Sequence, residues 1–162
     1  MVSSKERSPV FPPRIVLWLH LMNLRHNPIF AEVQEMSEIH NSYLAFNILK
    51  PKFNPEAEEF WLMTLNSNLI LTGLILLTKG TLNYCPVHPR DLFRECLKAN
   101  AFTFLIAHNH PSFNVCPSEA DLKLTRKLLK LSKLLEIPMT DHIIFSDKSY
   151  FSLRENKSIC WK

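Results

Sequence analysis

No segment of this 162-residue chain holds eighteen consecutive apolar residues, so no membrane-spanning helix is expected. No C-x-x-C pair occurs among Cys85, Cys96, Cys116 and Cys160, which argues against a zinc ribbon. Their spread does not match a secreted disulfide framework either, so reduced thiols and a cytoplasmic compartment are expected. Internal repeats and low-complexity tracts are lacking. Trp18, Trp61 and Trp161 stand apart and form no stacking platform. The stretch "RIVLWLHLMNL" follows Lys5, Arg7 and Arg14 in the manner of a signal peptide. His20 and Asn23 interrupt it, however, and no small-residue cleavage site follows. It is read as a short core or docking helix.

What is present fits a globular chain. The hydrophobic fraction of 46% is enough for a core, and a disordered chain would carry fewer apolar and more charged residues. The length suggests one domain with an appendage. A net charge of +4 and a pI near 8.9 are compatible with nucleic acid without arguing for it.

Residues 1–13, "MVSSKERSPVFPP", read as a loose tail, and residues 14 to about 25 as a short helix broken before Pro28. "IFAEVQEMSEIHNSYLAFNILKP" reads as helical, with a turn near "HNS" and a stop at Pro51. The period then changes. "FWLMTLN" and "LILTGLILLTKG" read as strands, with a bulge at Gly73. "HPRDLFRECLKAN" reads as a helix, "AFTFLIAH" as a central strand and "SEADLKLTRKLLKLSKLLEI" as a long helix ending before Pro138. "MTDHIIFSD" and "SYFSLRE" close as a strand pair. The alternation implies an α/β fold, a mixed sheet sandwiched by helices.

The chemistry concentrates in "AHNHPSFNVCPSEAD". His108 and His110 are two apart, so in an extended segment both rings project from one face of a strand end. Pro111 stops the strand. Asp121 falls in the first turn of the next helix and can return to the same point. Two imidazoles and a carboxylate leave a fourth position open, which is the catalytic type of zinc site. "S-E-A-D" also has a plainer meaning: Ser118 as a helix N-cap and Asp121 as its capping-box acid account for both residues without a metal.

The joint spacing, H-x-H, seven residues, Ser, two residues, Asp, resembles the JAMM metal motif of MPN-type domains, and most closely their RadC-like branch. Gly80–Thr81, "VHPRDLF", "CLKANA", "AHNHPS", "PSEADLKLT", "DHIIF" and "YFSLRE" carry the same resemblance, which covers about residues 38–155. It implies a domain over 38–162 of MPN (cytidine-deaminase-like) architecture, preceded by the tail and short helical region of 1–37. RadC-like proteins often carry a helix-hairpin-helix region before this domain, and residues 1–37 do not match one. The resemblance further implies a zinc ion on His108, His110 and Asp121, with Ser118 polarising or positioning a carbonyl oxygen. The implied activity is that of a zinc-dependent hydrolase of metallopeptidase type, acting on an unidentified peptide or protein.

A JAMM enzyme also needs a glutamate to carry the proton. Counted back from Gly80, its place falls on Leu76, with Ile75 the alternative, and no acid occurs between Glu59 and Asp91. Glu56, Glu58 and Glu59 precede the first strand and read as a solvated run. A metal site with impaired catalysis is therefore expected, and a non-catalytic zinc-binding module or a DNA-repair-associated accessory protein is the alternative. Phe113 replaces the glycine usual after "HNHPS", which predicts a reshaped loop. Cys116 reads as an apolar filler or an added ligand. His88 reads as part of the loop before a helix, and His142, beside Asp141, as structural or as support for the zinc site. Lys123, Arg126, Lys127, Lys130 and Lys133 share one helix side, either an outer cationic face or a phosphate track.

Overall fold

A computed structural model describes residues 38–82 and 85–161. The expected tail of 1–13 and helix of 14–25 lie outside the described residues. Among those described, the order is α1 (Ser42–Leu49), β1 (Glu59–Leu65), β2 (Leu71–Lys79), α2 (Pro89–Lys98), β3 (Thr103–Asn109), α3 (Glu119–Leu134), β4 (Met139–Phe145) and β5 (Tyr150–Ser152). The strands form one mixed sheet in the order β2-β1-β3-β4-β5. Only β3 and β4 are parallel, and the crossover between them contains α3.

The pleat sorts side chains onto two apolar faces. Met63, Leu65, Leu105, Ala107, Ile143 and Phe145 meet Ala45, Phe46 and Leu49 of α1. Phe60, Leu62, Phe104 and Ile106 meet Leu92, Phe93 and Cys96 of α2 and Leu128 of α3. Every residue of β3 is buried, as its unbroken apolar run predicts for a strand covered on both sides. The sandwich of helices around a mixed sheet is thus as expected. No helix of the described residues is long and apolar enough to cross a membrane.

Local chemistry sets the helix ends. His88 caps α2, its Nδ1 accepting from the Arg90 amide, and Pro89 occupies the first turn. That is the loop role expected of His88. Both α2 and α3 close with the hydrogen-bond pair of a Schellman motif: Ala101 N–H to Cys96 C=O with Asn100 N–H to Leu97 C=O, and Ile137 N–H to Ser132 C=O with Glu136 N–H to Lys133 C=O. The left-handed residue is Asn100 (φ 48°) in one and Glu136 (φ 54°) in the other. The chain has only two glycines and puts neither at these closures. Gly73 serves close approach instead. The β1–β2 register shifts beside its partner Thr64, as the expected bulge requires, and a Cβ at Gly73 would meet Thr64 Oγ1 at 2.8 Å.

The expected helical run of 29–51 is described only from residue 38, and a helix starts at the turn expected near "HNS". Glu38 forms an antiparallel bridge with Ile70, and Asn41 caps α1 by accepting from the Leu44 amide. An Asn with a satisfied side-chain cap starts a helix instead of continuing one.

Candidate metal centre

Beyond its last residue, β3 keeps its backbone pairing: the His110 amide donates to Phe145 C=O at 3.0 Å. His108 and His110 therefore project together, and their Nε2 atoms lie 3.0 Å apart. The start of α3 brings Asp121 to the same point, with Oδ1 3.2 Å from His108 Nε2 and Oδ2 3.9 Å from His110 Nε2. The loop between them holds its shape through Asn114. The carbonyl of Asn114 lies 2.6 Å from His110 Nδ1, and its side chain accepts from the Cys116 amide.

A carbonyl can only accept, so His110 Nδ1 carries the ring hydrogen and Nε2 is left as a lone pair. A lone-pair nitrogen and a carboxylate oxygen thus converge on His108 Nε2. One donor atom from each of His108, His110 and Asp121 lies within 4.8 Å of the others, and these residues could hold a metal ion. Two imidazoles and a carboxylate suit zinc and leave an open position. Cys116 lines the same cavity but is not a member of this donor group.

The two meanings of "S-E-A-D" coexist in the structure. Ser118 Oγ accepts from the Asp121 amide, while the Ser118 amide and hydroxyl both donate to Asp121 Oδ2, at 2.8 and 2.6 Å. The capping box therefore orients the carboxylate and leaves Oδ1 toward His108. Burial pushes the Asp121 carboxyl up, but His108 and the Ser118 donors outweigh it and hold the group well below the usual carboxylate range. Burial and the His108 charge lower the pKa of His110, opposed by the Asn114 carbonyl and Asp121.

The expected solvated run of acids divides into three environments. Glu56 is exposed, Glu58 half-buried and Glu59 buried. Glu59 faces Asn54 and Lys79. Glu58 lines a cavity of about 380 Å³ together with His108, His110, Ser118 and Asp121. Burial raises its pKa, His108 draws it down and the Asp121 carboxylate raises it further. Leu76, where counting along the chain placed the missing base, does not line that cavity. It lies opposite Trp61 and two residues from Leu74, both packed on the α1 side, whereas Phe60 and its partner His108 belong to the other face. The acid facing the triad is Glu58.

The signal was in register instead of sequence distance. The Gly80 amide donates to Glu58 C=O and the Glu58 amide to Thr81 C=O, both at 2.8 Å. Glu58 therefore sits across the ladder from Gly80–Thr81, not a few residues before it. Sequence reasoning also missed Asn109, the residue between the two histidines. Its buried side chain accepts from the Glu59 amide and donates to Asn54 C=O and Ala57 C=O at 2.8, 2.7 and 3.0 Å. It ties the segment bearing Glu58 to the strand bearing His108. A polar residue at the buried end of a largely apolar strand is the one sequence sign of such a clamp.

Phe113 takes φ 62°, the left-handed conformation that glycine favours, and its ring packs on Phe53 at 5.4 Å.

Comparison with known proteins agrees with this architecture. A family model described as a RadC-like JAB domain matches residues 39–158. A UPF0758 protein of Thermosynechococcus vestitus is 45% identical over 98 residues, 60% of this chain and 39% of the relative. One from Actinobacillus pleuropneumoniae is 37% identical over 127 residues, 78% of this chain and 58% of the relative. One from Clostridium botulinum is 39% identical over 102 residues, 63% of this chain and 45% of the relative. The chain thus spans about 40–60% of the length of these relatives. The family match takes in all five strands and the whole His–His–Asp cluster, and the chain belongs to the RadC-like JAB domain family.

Proposed function

We propose that this domain is a zinc-dependent hydrolase of metallopeptidase type, with His108, His110 and Asp121 as zinc ligands and Glu58 as the proton carrier. The observation that carries the reading is the place of Glu58 in the same cavity as the triad, partly desolvated and with a raised pKa. With a base in reach, the loss of catalysis expected from Leu76 no longer follows. Zinc, when bound, supplies Lewis acidity that polarises a carbonyl and acidifies water.

The chain's own groups do the rest. Glu58 accepts a proton on its carboxylate and returns it to the departing nitrogen of an amide. Ser118 stands exposed at the cavity wall, where its hydroxyl can turn from Asp121 toward a substrate carbonyl oxygen. Asn109 keeps the Glu58 segment against β3. The substrate class is a peptide or protein amide. The exposed cations Lys123, Arg126, Lys127, Lys130 and Lys133 lie opposite the buried Thr125, Leu128 and Ser132, so they are read as the outer face of an amphipathic helix, and little nucleic-acid binding is expected. The four free thiols suit a reducing compartment, which we take to be the cytoplasm.

The test is zinc-dependent cleavage of a panel of peptide and isopeptide substrates. Glu58→Gln should lower the rate by about 10²–10⁴ while zinc content and melting temperature stay near wild type. Equal rates in the two proteins would remove Glu58 from the chemistry. A folded, zinc-loaded wild type that cleaves nothing would favour a non-catalytic zinc-binding module.

A further inference from the structure

We infer that Thr125 and His142 are positioning residues: together they hold His108 as its Nδ1–H tautomer and turn its Nε2 lone pair toward the ion. The inference rests on the metal reading above and adds two residues that touch neither ion nor substrate.

The argument is a count of hydrogens along one chain of contacts. Thr125 Oγ1 lies 2.6 Å from the Asp121 carbonyl oxygen and 2.6 Å from His142 Nδ1. His142 Nε2 lies 2.9 Å from His108 Nδ1. The Asp121 carbonyl has no hydrogen to give, so the Thr125 hydroxyl donates to it. The Thr125 oxygen then accepts, and the hydrogen in its contact with His142 comes from Nδ1. A neutral imidazole has one such hydrogen, so His142 Nε2 is an acceptor and His108 Nδ1 is the donor. In the zinc-loaded chain His108 Nε2 is then the bare lone pair, one of three acceptors with His110 Nε2 and Asp121 Oδ1 whose close approach a cation between them reconciles.

With an ion bound, the opposite assignment fails at both ends. A hydrogen on His142 Nε2 would require His108 Nδ1 to accept, which moves the His108 hydrogen to Nε2 and blocks the ligand position. It would also draw the Thr125 hydroxyl to His142 and leave the 2.6 Å contact with Asp121 C=O without a hydrogen.

Place in the fold gives the relay its second effect. Thr125 and His142 are fully buried, and Phe60 packs against both His108 and His142, with centroids at 5.7 and 5.8 Å. His142 is on β4, next to β3 in the sheet, and Thr125 is one turn beyond Asp121 on α3. The relay therefore fastens the ligand on β3 to the helix that carries the carboxylate ligand. A hydrogen-bond partner behind a metal-binding imidazole fixes its tautomer and orientation, and removing such a partner typically weakens metal binding by about 10–100-fold.

Two readouts test this without reference to turnover. The first is zinc affinity of the full chain, by competition with a chromogenic chelator, for wild type, Thr125→Val and Thr125→Ser. The valine variant keeps the side-chain shape and removes the acceptor for His142, so its affinity should fall by about 10–100-fold. The serine variant restores the hydroxyl and should recover most of it. The second readout needs no variant: side-chain ¹⁵N spectra of the zinc-loaded wild type should show His142 protonated on Nδ1 and bare on Nε2. Unchanged affinity in Thr125→Val, equal losses in both variants, or a hydrogen on His142 Nε2 would each overturn the relay. Failure of the wild type to bind zinc at all would overturn the metal reading beneath it.

Discussion

On the α1 side of the sheet, buried acids are held by bonds to their neighbours; at the end of β3 on the other side, half-buried acids line a cavity. Glu59 and Asp141 represent the first case. The Asp141 carboxylate accepts from the Ser152 hydroxyl and from the amides of His142 and Arg154. Glu58 and Asp121 represent the second, sharing the cavity wall with two histidines. The same strands serve both sides, because alternate residues of one strand face opposite ways. Glu58 and Glu59 are adjacent in sequence and lie in different environments. Which side of the sheet a residue of β1 or β3 reaches is set by its parity along the strand.

The comparison can be broken from the α1 side by removing its packing. Leu49 is fully buried in the α1 cluster, away from the triad. Leu49→Ala should cost about 2–5 kcal/mol in denaturant unfolding, with zinc affinity of the folded fraction unchanged. A loss of zinc affinity at equal folded fraction would show that the two sides are not separable.

A smaller effect sharpens the account of the acids. Burial pushes the Asp141 carboxyl up to about 6, and its three donors only partly offset that. An acid whose pKa is raised in the folded state favours folding while protonated. That contribution is present below the ordinary value of 3.8 and is lost as pH rises through about 6. Between about pH 4 and pH 7 this one group should cost the wild type up to about 3 kcal/mol. Asp141→Asn cannot ionise, so the difference in stability between wild type and variant should move by that amount across the window. A flat difference would mean that the donors hold the carboxylate charged throughout.

The smallest expected effect concerns the helix closure. Glu136 takes a left-handed φ of 54° with no glycine to relieve it. Glu136→Gly should raise stability by about 1 kcal/mol, and thermal melting at matched zinc content reads it.

How much of this was legible in the sequence follows the same division. The strands were visible because runs such as "FWLMTLN" and "AFTFLIAH" are predominantly apolar, and β1 and β3 are covered on both faces. The triad was visible because a strand end and the first turn of a helix have fixed local geometry. The cavity position of Glu58 was not visible because its relation to Gly80–Thr81 is one of register across two strands, and a count along one strand cannot see it. The turn at "HNS" was visible, and Asn41 there serves as the helix N-cap. Thr125 looked like any polar residue of a long helix. Its role depends on a histidine 17 positions away.

The most direct test of the account is anomalous diffraction at the zinc edge from crystals of the zinc-loaded chain. The account predicts a single strong peak about 2.0–2.2 Å from His108 Nε2, His110 Nε2 and an Asp121 carboxylate oxygen, with the Glu58 carboxylate facing the open fourth position. A peak bound elsewhere, for example through the Cys116 thiol, or Glu58 turned away from the ion, would contradict it.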